Sequence, residues 1–401
     1  TGPAAADKGQ AFPFDFINSG EIEGEGELAG SKPTLSLEHV KPLEAAIKRY
    51  SAIVAKGGWQ PIPSVQLENG SRGDAVVLLR KRLIAEGDLA GGGGFDDELF
   101  DGYLADALRR FQWRYSLKQT GDLRDKDLAK NGTRTLTALN VPAASRLQQL
   151  RINLQRIKSQ TKSLKGRYVL VNLPAQQIEA VENGNVVLKL NGVVGKPDRP
   201  SPLLTSAISE LNFNPVWTLP PTVVKEDLIF TGKKMQAKKQ NVLTKFKIDA
   251  YSNGKKLDPE KINWSSAAVL GYRYSQQPSK DNPLGFVKIN FNSPHSVYMH
   301  DTPKKKLFEK TYRAASSGCI RVENIQELVA WLLKETPDWS LGRVEQMKES
   351  GERKDVRLKK AVPLYWVYVT AWAAADGTVH FRRDIYGKDR DQGVHKMASS
   401  Y

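Results

Sequence analysis

A single cysteine and a histidine nineteen positions before it are the residues of this sequence best suited to covalent chemistry. Cys319, the only cysteine, lies in the stretch SSGCIRV, and His300 ends the stretch SVYMH. A thiol is a strong nucleophile only as the thiolate, which a helix N-terminus or a nearby cation stabilises. Because Arg321 follows two positions after the cysteine and a predicted helix at 323–334 starts soon afterwards, we expect the pKa of this thiol to be lowered.

A thiol nucleophile needs a base, and the sequence offers five histidines: His39, His295, His300, His380 and His395. We assign His300 as the general base, because the segment after this predicted strand end is long enough to loop back to Cys319. The group that orients the imidazole ring stays open. Asp301 is adjacent, but neighbours on a strand point to opposite faces, so a backbone carbonyl is an equal alternative.

The residues around the thiol suit attack on a carbonyl group. Gly318 places no side chain beside the sulfur, so a substrate carbonyl can approach closely. Consecutive N–H groups in a glycine-containing loop can also stabilise the oxyanion that such an attack creates. On these residues alone, however, a buried structural thiol and an unrelated histidine would explain the same pattern.

The elements that must position these residues divide the chain into a helical part and a later β part. Residues 1–64 are predicted to be an irregular segment followed by one amphipathic helix that starts near Pro42. Residues 65–141 contain three helical patterns with turns between them, and residues 142–165 form a basic connecting helix. The apolar residues at helical spacing include Leu43, Ile47, Tyr50, Val54, Leu104, Leu108, Phe111, Tyr115, Leu147, Leu150, Leu154 and Ile157.

Strand patterns begin at residue 168 and define a second unit, residues 166–335. The stretch ENGN at 182–185 predicts a hairpin turn, since Asn-Gly accepts the positive φ of a tight turn. Residues 222–280 are rich in Lys, Tyr and Trp and interrupt the strand pattern, so we interpret them as an irregular, capping insertion. Residues 336–401 are predicted to form a helix and a β-hairpin, with an Asp-Gly turn, that pack on this unit.

The composition fits a folded protein of two or three domains and restricts its chemistry. The 401 residues are 40% hydrophobic and include 60 Lys and Arg against 44 Asp and Glu, a net charge of +16. This charge favours polyanionic partners: nucleic acid, anionic lipid or an anionic cell-wall polymer. One cysteine excludes an internal disulfide and a Cys-based zinc ribbon. No apolar run predicts a transmembrane segment and no signal pattern opens the sequence, so we expect any signal or membrane anchor to be absent from this chain.

The stretch from His300 to Arg321 resembles the active-site signature of the YkuD-type L,D-transpeptidases. That signature has a strand-end His, a short spacer, Ser or Thr, a variable residue, Gly-Cys, an apolar residue and often Arg. Ser317 departs from it, because most of the family has a second His there. The sequence SSGC and the stretch NFNPVWTLPPTVVKEDL instead resemble the large YcbB-like subgroup. The residues that match the signature are Ser316, Gly318, Cys319, Ile320 and Arg321.

Residues 65–141 resemble the small three-helix peptidoglycan-binding module, with the pieces RGDAVVLLRKRL, LADALRRFQ and NGTRTLTALN in the same order. A helical packing module without a ligand is the alternative. Together the two resemblances imply an α+β multidomain protein. Its parts would be a mainly β catalytic domain, a YkuD-like β-sandwich with an insertion, and a small three-helix peptidoglycan-binding domain. They also imply a location in the periplasm or cell envelope of a Gram-negative bacterium.

The resemblance further implies a thioester mechanism on peptidoglycan stem peptides, without a cofactor or metal. Cys319 would attack the third residue of a donor tetrapeptide, meso-diaminopimelate, and His300 would protonate the leaving D-Ala. An acceptor stem would then take the acyl group to give a 3→3 cross-link, and carbapenems would acylate the same thiol. Candidates for binding the oxyanion or the acidic stem are Ser316, Ser317, Gly318 and Arg321, with Tyr298 on the strand face of the base. Candidates for capping the stem from the insertion are Trp264, Tyr272 and Tyr274.

Three other functions fit parts of the sequence. A zinc peptidoglycan hydrolase could take ligands from His295, His300 and Asp301, but no His-x-His or His-Glu-x-x-His spacing occurs and Cys319 would be unexplained. A non-enzymatic wall-binding protein would use residues 65–141 and the positive charge. A nucleic-acid binder is suggested by the charge alone, since no basic-aromatic motif accompanies it.

Overall fold

The chain was examined in a computed structural model, which describes residues 31–91, 96–124 and 135–390. The sequence predictions that fall on 1–30, 92–95, 125–134 and 391–401, His395 among them, lie outside these ranges. Short 3₁₀ turns aside, the helices are α1 (Val40–Ala55), α2 (Asp74–Glu86), α3 (Gly102–Arg114), α4 (Thr135–Leu139), α5 (Ala143–Gln160), α6 (Pro221–Val223, continued by a π-helical turn at Val224–Leu228 and by Ile229–Gln236), α7 (Val242–Phe246), α8 (Ile325–Leu333) and α9 (Leu341–Ser350).

The strands of the described residues form one large sheet, a hairpin and a small sheet. In chain order they are β1 (Arg167–Asn172), β2 (Gln177–Glu182), β3 (Asn185–Gly195), β4 (Leu204–Phe213), β5 (Trp217–Thr218), β6 (Ile248–Ser252), β7 (Lys255–Lys256), β8 (Arg273–Gln276), β9 (Val287–Phe291), β10 (Met299–His300), β11 (Ala314–Ser316), β12 (Ile320–Val322), β13 (Lys354–Val367), β14 (Ala371–Ala373) and β15 (Val379–Phe381).

Local sequence accounts for where several helices begin and end. Helix α1 begins at Val40, two residues before the predicted start at Pro42. Helix α3 begins after Asp101, whose side chain accepts a hydrogen bond from the Leu104 N–H and so satisfies one free donor of the first turn. Helix α2 ends at Gly87, which has a φ of +84° that a residue with a Cβ adopts less readily.

The large sheet has nine strands in the order β11-β3-β12-β10-β9-β4-β13-β1-β2, and β3 also pairs with β2. This extra pairing joins strands from opposite parts of the order, so the sheet closes on itself. We expected a β-sandwich, and the structure differs in that these nine strands belong to one continuous sheet. The apolar face of this sheet packs against α8 and α9 in a single core cluster.

Strand β1 is buried on both faces, which explains its unbroken apolar stretch YVLV. Val169 and Val171 belong to the core shared with α8 and α9. Tyr168 and Leu170 belong instead to a second core, formed by α1, α2, α3, α5 and the β14–β15 hairpin. The helical part of the chain is therefore packed onto the outside of the sheet through a shared hydrophobic core.

A buried ionic network strengthens the contact between the helical part and the hairpin. The Arg114 guanidinium on α3 donates to Glu86 (2.6 Å) and to Asp88, and also to the Val379 carbonyl of the hairpin (3.3 Å). Arg382 donates in return to the Arg114 carbonyl at 3.0 Å. Because the charges are paired and hydrogen-bonded, their burial is tolerated, and removing one partner would leave an uncompensated charge.

The insertion is not irregular, and this part of the sequence interpretation was wrong. It folds as a small unit with the four-stranded sheet β5-β8-β6-β7, the helices α6 and α7 and its own hydrophobic core. Its aromatic residues form that core: Trp264 is 3% exposed and Tyr274 is fully buried, with Tyr272 packed beside them. The first two are therefore not available to cap a substrate.

The C-terminal segment contributes more than the sequence interpretation allowed. We expected 336–401 to pack on the catalytic unit as a helix and a hairpin. Instead β13 lies inside the sheet, antiparallel to β4 and parallel to β1. Residues 371–381 do form a hairpin, with Asp376 and Gly377 in its turn. Among the described residues, no helix has the length and apolar character needed to cross a bilayer.

Candidate active site

Strand pairing brings the predicted nucleophile and base onto one face of the sheet. In the parallel pair of β10 and β12, Met299 is opposite Ile320 and His300 is opposite Arg321. Met299 and Ile320 are fully buried in the apolar core. Since successive strand residues point to opposite faces, His300 and Cys319 lie on the other face, Cys319 next in register to Tyr298.

The backbone around the thiol is fixed by two serine hydroxyls. Gly318 has a φ of +119°, a conformation that a side chain would strain. The Ser316 hydroxyl accepts from the Gly318 N–H at 3.1 Å and donates to the Cys319 carbonyl at 2.6 Å. The Ser201 hydroxyl donates to the Gly318 carbonyl at 2.8 Å. Ser316 therefore holds the loop together with Ser201, which no sequence pattern had indicated.

The environment of the Cys319 thiol does not lower its pKa as expected. Burial, which disfavours the charged thiolate, raises the pKa above its ordinary value. Hydrogen bonds from the Tyr298 backbone and hydroxyl, together with the positive charges of Lys288 and Arg321, oppose this effect but do not exceed it. Helix α8 begins only at Ile325, beyond the strand β12, so its N-terminus is not adjacent to the sulfur.

His300 is held as a neutral base. It is 5% exposed, and burial is the main cause that lowers its pKa to about 4. Its Nδ1 lies 2.5 Å from the Asp301 carbonyl oxygen. Because a carbonyl can only accept, Nδ1 carries the proton and Nε2 keeps its lone pair. Of the two alternatives for orienting the ring, the structure has the backbone carbonyl.

The Asp301 carboxylate points elsewhere and stabilises the turn after the base. It accepts from the Phe286 N–H at 3.1 Å and from the Lys305 ammonium at 2.5 Å. Gly285 lies against it so closely that an added Cβ would be 2.1 Å from the carboxylate oxygen. The Asp301 carboxylate therefore supports the backbone that holds His300, and it is the Asp301 carbonyl that contacts the ring nitrogen.

The insertion touches the thiol region on two sides. On one side, Trp217 hydrogen-bonds the hydroxyl of Tyr298, whose pKa is raised to about 12, mainly by burial. On the other, Arg199 lies 2.9 Å from Glu226 of the insertion and 3.4 Å from the Ser317 hydroxyl. The insertion is thus linked to Tyr298 and to Ser317, which lies two residues before Cys319. The exposed Arg199–Glu226 ion pair adds little stability by itself.

Sequence reasoning missed Lys288 and Trp217. Lys288 is opposite His300 across β9 and β10, and its ammonium lies 4.5 Å from the centre of the Tyr298 ring. The alternation in VKINF places it on the polar face of its strand, so knowledge of the pairing would have found it. His295, in contrast, is exposed in the loop before β10. No group of three metal-ligating side chains occurs in 31–91, 96–124 or 135–390.

Known proteins share two regions of this chain. Residues 166–344 match the family described as "L,D-transpeptidase catalytic domain", and residues 72–123 match "Putative peptidoglycan binding domain". A curated Haemophilus influenzae protein described as "Putative L,D-transpeptidase" is 34% identical over 245 residues, 61% of this chain and 48% of that protein. This chain therefore spans about half the length of that relative.

Solved structures of L,D-transpeptidases that are similar to this chain have lower sequence identity than that relative. An L,D-transpeptidase structure from Xylanimonas cellulosilytica is 16% identical, with a TM-score of 0.24, over 77% of this chain and 100% of that one. One from Stackebrandtia nassauensis is 13% identical, with a TM-score of 0.25, over 75% of this chain and 94% of that one.

Proposed function

Because the chain contains an L,D-transpeptidase catalytic domain at residues 166–344, we propose that it is a cysteine L,D-transpeptidase acting on peptidoglycan stem peptides. The observation that supports this most strongly is the placement of Cys319 and a neutral His300 on one polar face of paired strands. The proposed product is a 3→3 cross-link between two diaminopimelate residues, formed through a Cys319 thioester.

The protonation states define how the first step proceeds. With a raised thiol pKa and a lowered imidazole pKa, the resting pair is a neutral thiol and a neutral imidazole. Cys319 Sγ therefore attacks the diaminopimelate carbonyl of the donor stem while its proton passes to His300 Nε2. The amide C–N bond breaks, the imidazolium returns this proton to the amine of D-Ala, and the thioester remains.

The second step reverses the same proton path. The side-chain amine of the acceptor diaminopimelate attacks the thioester carbonyl and transfers a proton to His300. The C–S bond then breaks, the new amide forms, and the sulfur regains a proton from the imidazolium. The enzyme returns to its resting neutral pair, so neither step needs a cofactor or an external redox agent.

The Cys319 N–H is the proposed donor to the oxyanion of both steps. The C=O and N–H groups of one trans peptide point in opposite directions. Since Ser201 holds the Gly318 carbonyl, the Cys319 N–H points away from Ser201. The Gly318 N–H is already bonded to Ser316, so we assign Ser316 and Gly318 to shaping the loop and not to direct oxyanion contact.

Cationic groups beside the thiol suit the acidic stem. Arg321 is half-buried, and its buried Nε has no hydrogen-bond partner among the described residues. Lys288 adds a second positive charge that acts on the thiol. We assign these two residues to the carboxylates of the donor stem, with Tyr298 at the sulfur and Ser317 at the rim of the site.

The other proposed features rest on the two matched domains. Their wall-related families support action in the extracytoplasmic envelope. We propose that this envelope is a Gram-negative periplasm. The SSGC stretch and the folded insertion support assignment to the YcbB-like subgroup. A zinc hydrolase has no three-ligand group in the described ranges, and a purely wall-binding protein would not need the neutral thiol–imidazole pair.

The decisive assay uses a purified disaccharide-tetrapeptide as donor and acceptor. We expect release of free D-Ala together with a dimer whose fragmentation spectrum shows a diaminopimelate–diaminopimelate link. Addition of EDTA should leave the rate unchanged. A 4→3 link, or loss of activity on chelation, would contradict the proposed function.

A carbapenem is expected to form one covalent adduct with Cys319. Its strained β-lactam carbonyl is attacked as the scissile amide would be, with His300 accepting the thiol proton. Intact-protein mass spectrometry should show one added carbapenem, mapped by proteolysis to the peptide that contains SSGCIR. Iodoacetamide, which needs the preformed thiolate, should react appreciably only above the ordinary thiol pKa, near 8.5. An adduct on a serine would instead indicate a penicillin-binding type of enzyme.

Removing the insertion is expected to lower the rate of cross-linking by about 10- to 10²-fold, because the capping insertion would no longer hold the acceptor stem in position. Thr218 and Ser275 are directly paired, so an Asn-Gly turn replacing 219–274 can join them as a two-residue hairpin. The insertion core is separate from that of the large sheet, so the shortened protein should fold and Cys319 should still alkylate. Phe230→Ala, which changes one exposed side chain of the insertion, is the matched control. Undiminished cross-linking would show that the insertion does not cap the active site.

A further inference from the structure

A cleft separates the helical part from the catalytic sheet on the side of the β14–β15 hairpin. Its cavity has a volume of 620 Å³. One wall comes from the segment at the end of α3, which includes Trp113 and Gln119, and another from the hairpin with Trp372 and His380. The third wall comes from β2 and from residues 308–311, which precede the strand that leads into Cys319.

Three aromatic rings from two distant parts of the chain meet in this cleft. The His380 ring is stacked on Trp372 with centroids 5.3 Å apart, and it meets Trp113 edge to face at 5.0 Å. Trp113 nevertheless leaves 47% of its surface exposed. A tryptophan so exposed, fixed in place by its neighbours and facing a cavity, presents a rigid ring surface to a ligand at low entropic cost.

The cleft continues beyond these rings, and its remaining lining is partly polar and partly apolar. Beyond Ser116, Leu117, Thr311 and Arg382 it continues into a second cavity of 840 Å³ that these residues also line. Amide and hydroxyl groups also line the cleft, including those of Gln119, Gln177 and Thr311. Such a lining, with an exposed tryptophan ring beside hydrogen-bonding groups, suits a carbohydrate. The apolar face of a pyranose packs on an aromatic ring, while its hydroxyl and acetamido groups bond to amides.

We propose that this cleft binds the glycan strand of peptidoglycan, with Trp113 as the stacking platform. The Trp372 ring already packs against His380 and the Arg382 guanidinium, and it supports Trp113 through His380. The proposal rests on the proposed function, because that function makes a wall polymer the substrate. It places the glycan site between the two matched domains and not on the helical module alone. Residues of both 72–123 and 166–344 line it, so a bound strand contacts the catalytic unit directly. Lys189 and Lys310 line the cleft together with Glu179 and Glu309, so its charge is of both signs.

The test is a binding titration of the full chain with glycan strands from which an amidase has removed all stem peptides. Tryptophan fluorescence is the readout. Wild-type protein should bind, and Trp113→Ala should weaken binding about tenfold or more, as the loss of an aromatic anchor does. Trp113→Phe should restore most of it. Tyr103→Ala, on the same helix but outside the cleft, should have no effect.

A second variant separates ligand binding from packing. Gln119→Trp fills the cleft without removing an existing contact, and it should block glycan binding while leaving the melting temperature close to that of the wild type. Equal binding by all variants, or no binding by the wild type, would overturn the proposal. Displacement of the glycan by free stem peptides would also overturn it, because the occupant would then be a peptide.

Failure of the cleft proposal and failure of the proposed function give different results. Trp113→Ala should cross-link intact peptidoglycan more slowly than the wild type, whereas Tyr103→Ala should cross-link it at the wild-type rate. Cys319→Ala should bind bare glycan normally. If Cys319→Ala still cross-links, the catalytic assignment fails, but the glycan titration still tests whether the cleft binds glycan. If only the titration fails, the catalytic assignment stands.

Discussion

Replacing Cys319 by alanine is expected to eliminate both D-Ala release and cross-linking. Loss of a nucleophile that acts together with a base lowers the turnover rate by a factor on the order of 10⁶ in a comparable hydrolase. Here no second thiol exists to substitute for it, because Cys319 is the only cysteine of the chain. The measurement is single-turnover D-Ala release from a disaccharide-tetrapeptide, with product analysis by mass spectrometry.

Two control variants show whether the loss is chemical. Cys319→Ser keeps the shape of the side chain and should be similarly inactive, since a hydroxyl is a poorer nucleophile. Ser317→Ala changes a neighbouring residue at the rim and should retain substantial turnover. All three proteins should unfold at nearly the same temperature. Turnover by Cys319→Ala above about one-hundredth of the wild-type rate would remove the thiol from the mechanism.

Replacing His300 by alanine is expected to lower the acylation rate by about 10²- to 10⁴-fold, the range typical of general-base catalysis. The neutral thiol cannot attack efficiently without a proton acceptor, because burial holds its pKa above the ordinary value. His295→Ala, which removes an exposed histidine, is the matched control and should be silent. If His300→Ala acylates as fast as the wild type, another group accepts the proton.

The pH profile adds a readout that a purely structural role would not produce. His300 must be neutral to act as a base, and its pKa is lowered to about 4. The acid limb of kcat/KM should therefore fall near pH 4 and not near 6.5, the value of an unperturbed histidine. The unfolded chain binds this proton below pH 6.5 and the folded chain only near 4, so stability should decline as pH falls through this window.

The residues that carry the chemistry could be found from the sequence, but their electrostatics could not. Cys319 and His300 could be identified from the sequence, because Cys319 is the only cysteine and His300 ends a recognisable strand. Their shared face depends on the register of β10 against β12, which follows from long-range pairing. The direction of the thiol pKa was wrong because charge along the chain, such as Arg321, is visible in the sequence, whereas desolvation appears only after folding.

The same division applies to the fold. Helical spacing located α1, α3 and α5 because their apolar stripes are local features. The insertion was wrongly interpreted as irregular because its short strands pair with strands far away in the sequence, as β5 does with β8. The residues between such strands do not indicate this pairing. The place of β13 inside the sheet was also missed, since a strand of 14 residues shows its own alternation but not its partners.

The two-sided burial of β1 has a consequence for recombining parts of this protein. A catalytic unit cut free at residue 166, or grafted onto a foreign module, would expose the outward stripe of Tyr168, Leu170, Val181 and Val186. Uncovering each of these side chains costs about 1.5–3 kcal/mol, and together they form an apolar patch prone to self-association. Domain-swap chimeras should therefore aggregate unless this stripe is redesigned, whereas chimeras joined within the insertion, at Thr218 and Ser275, should remain soluble.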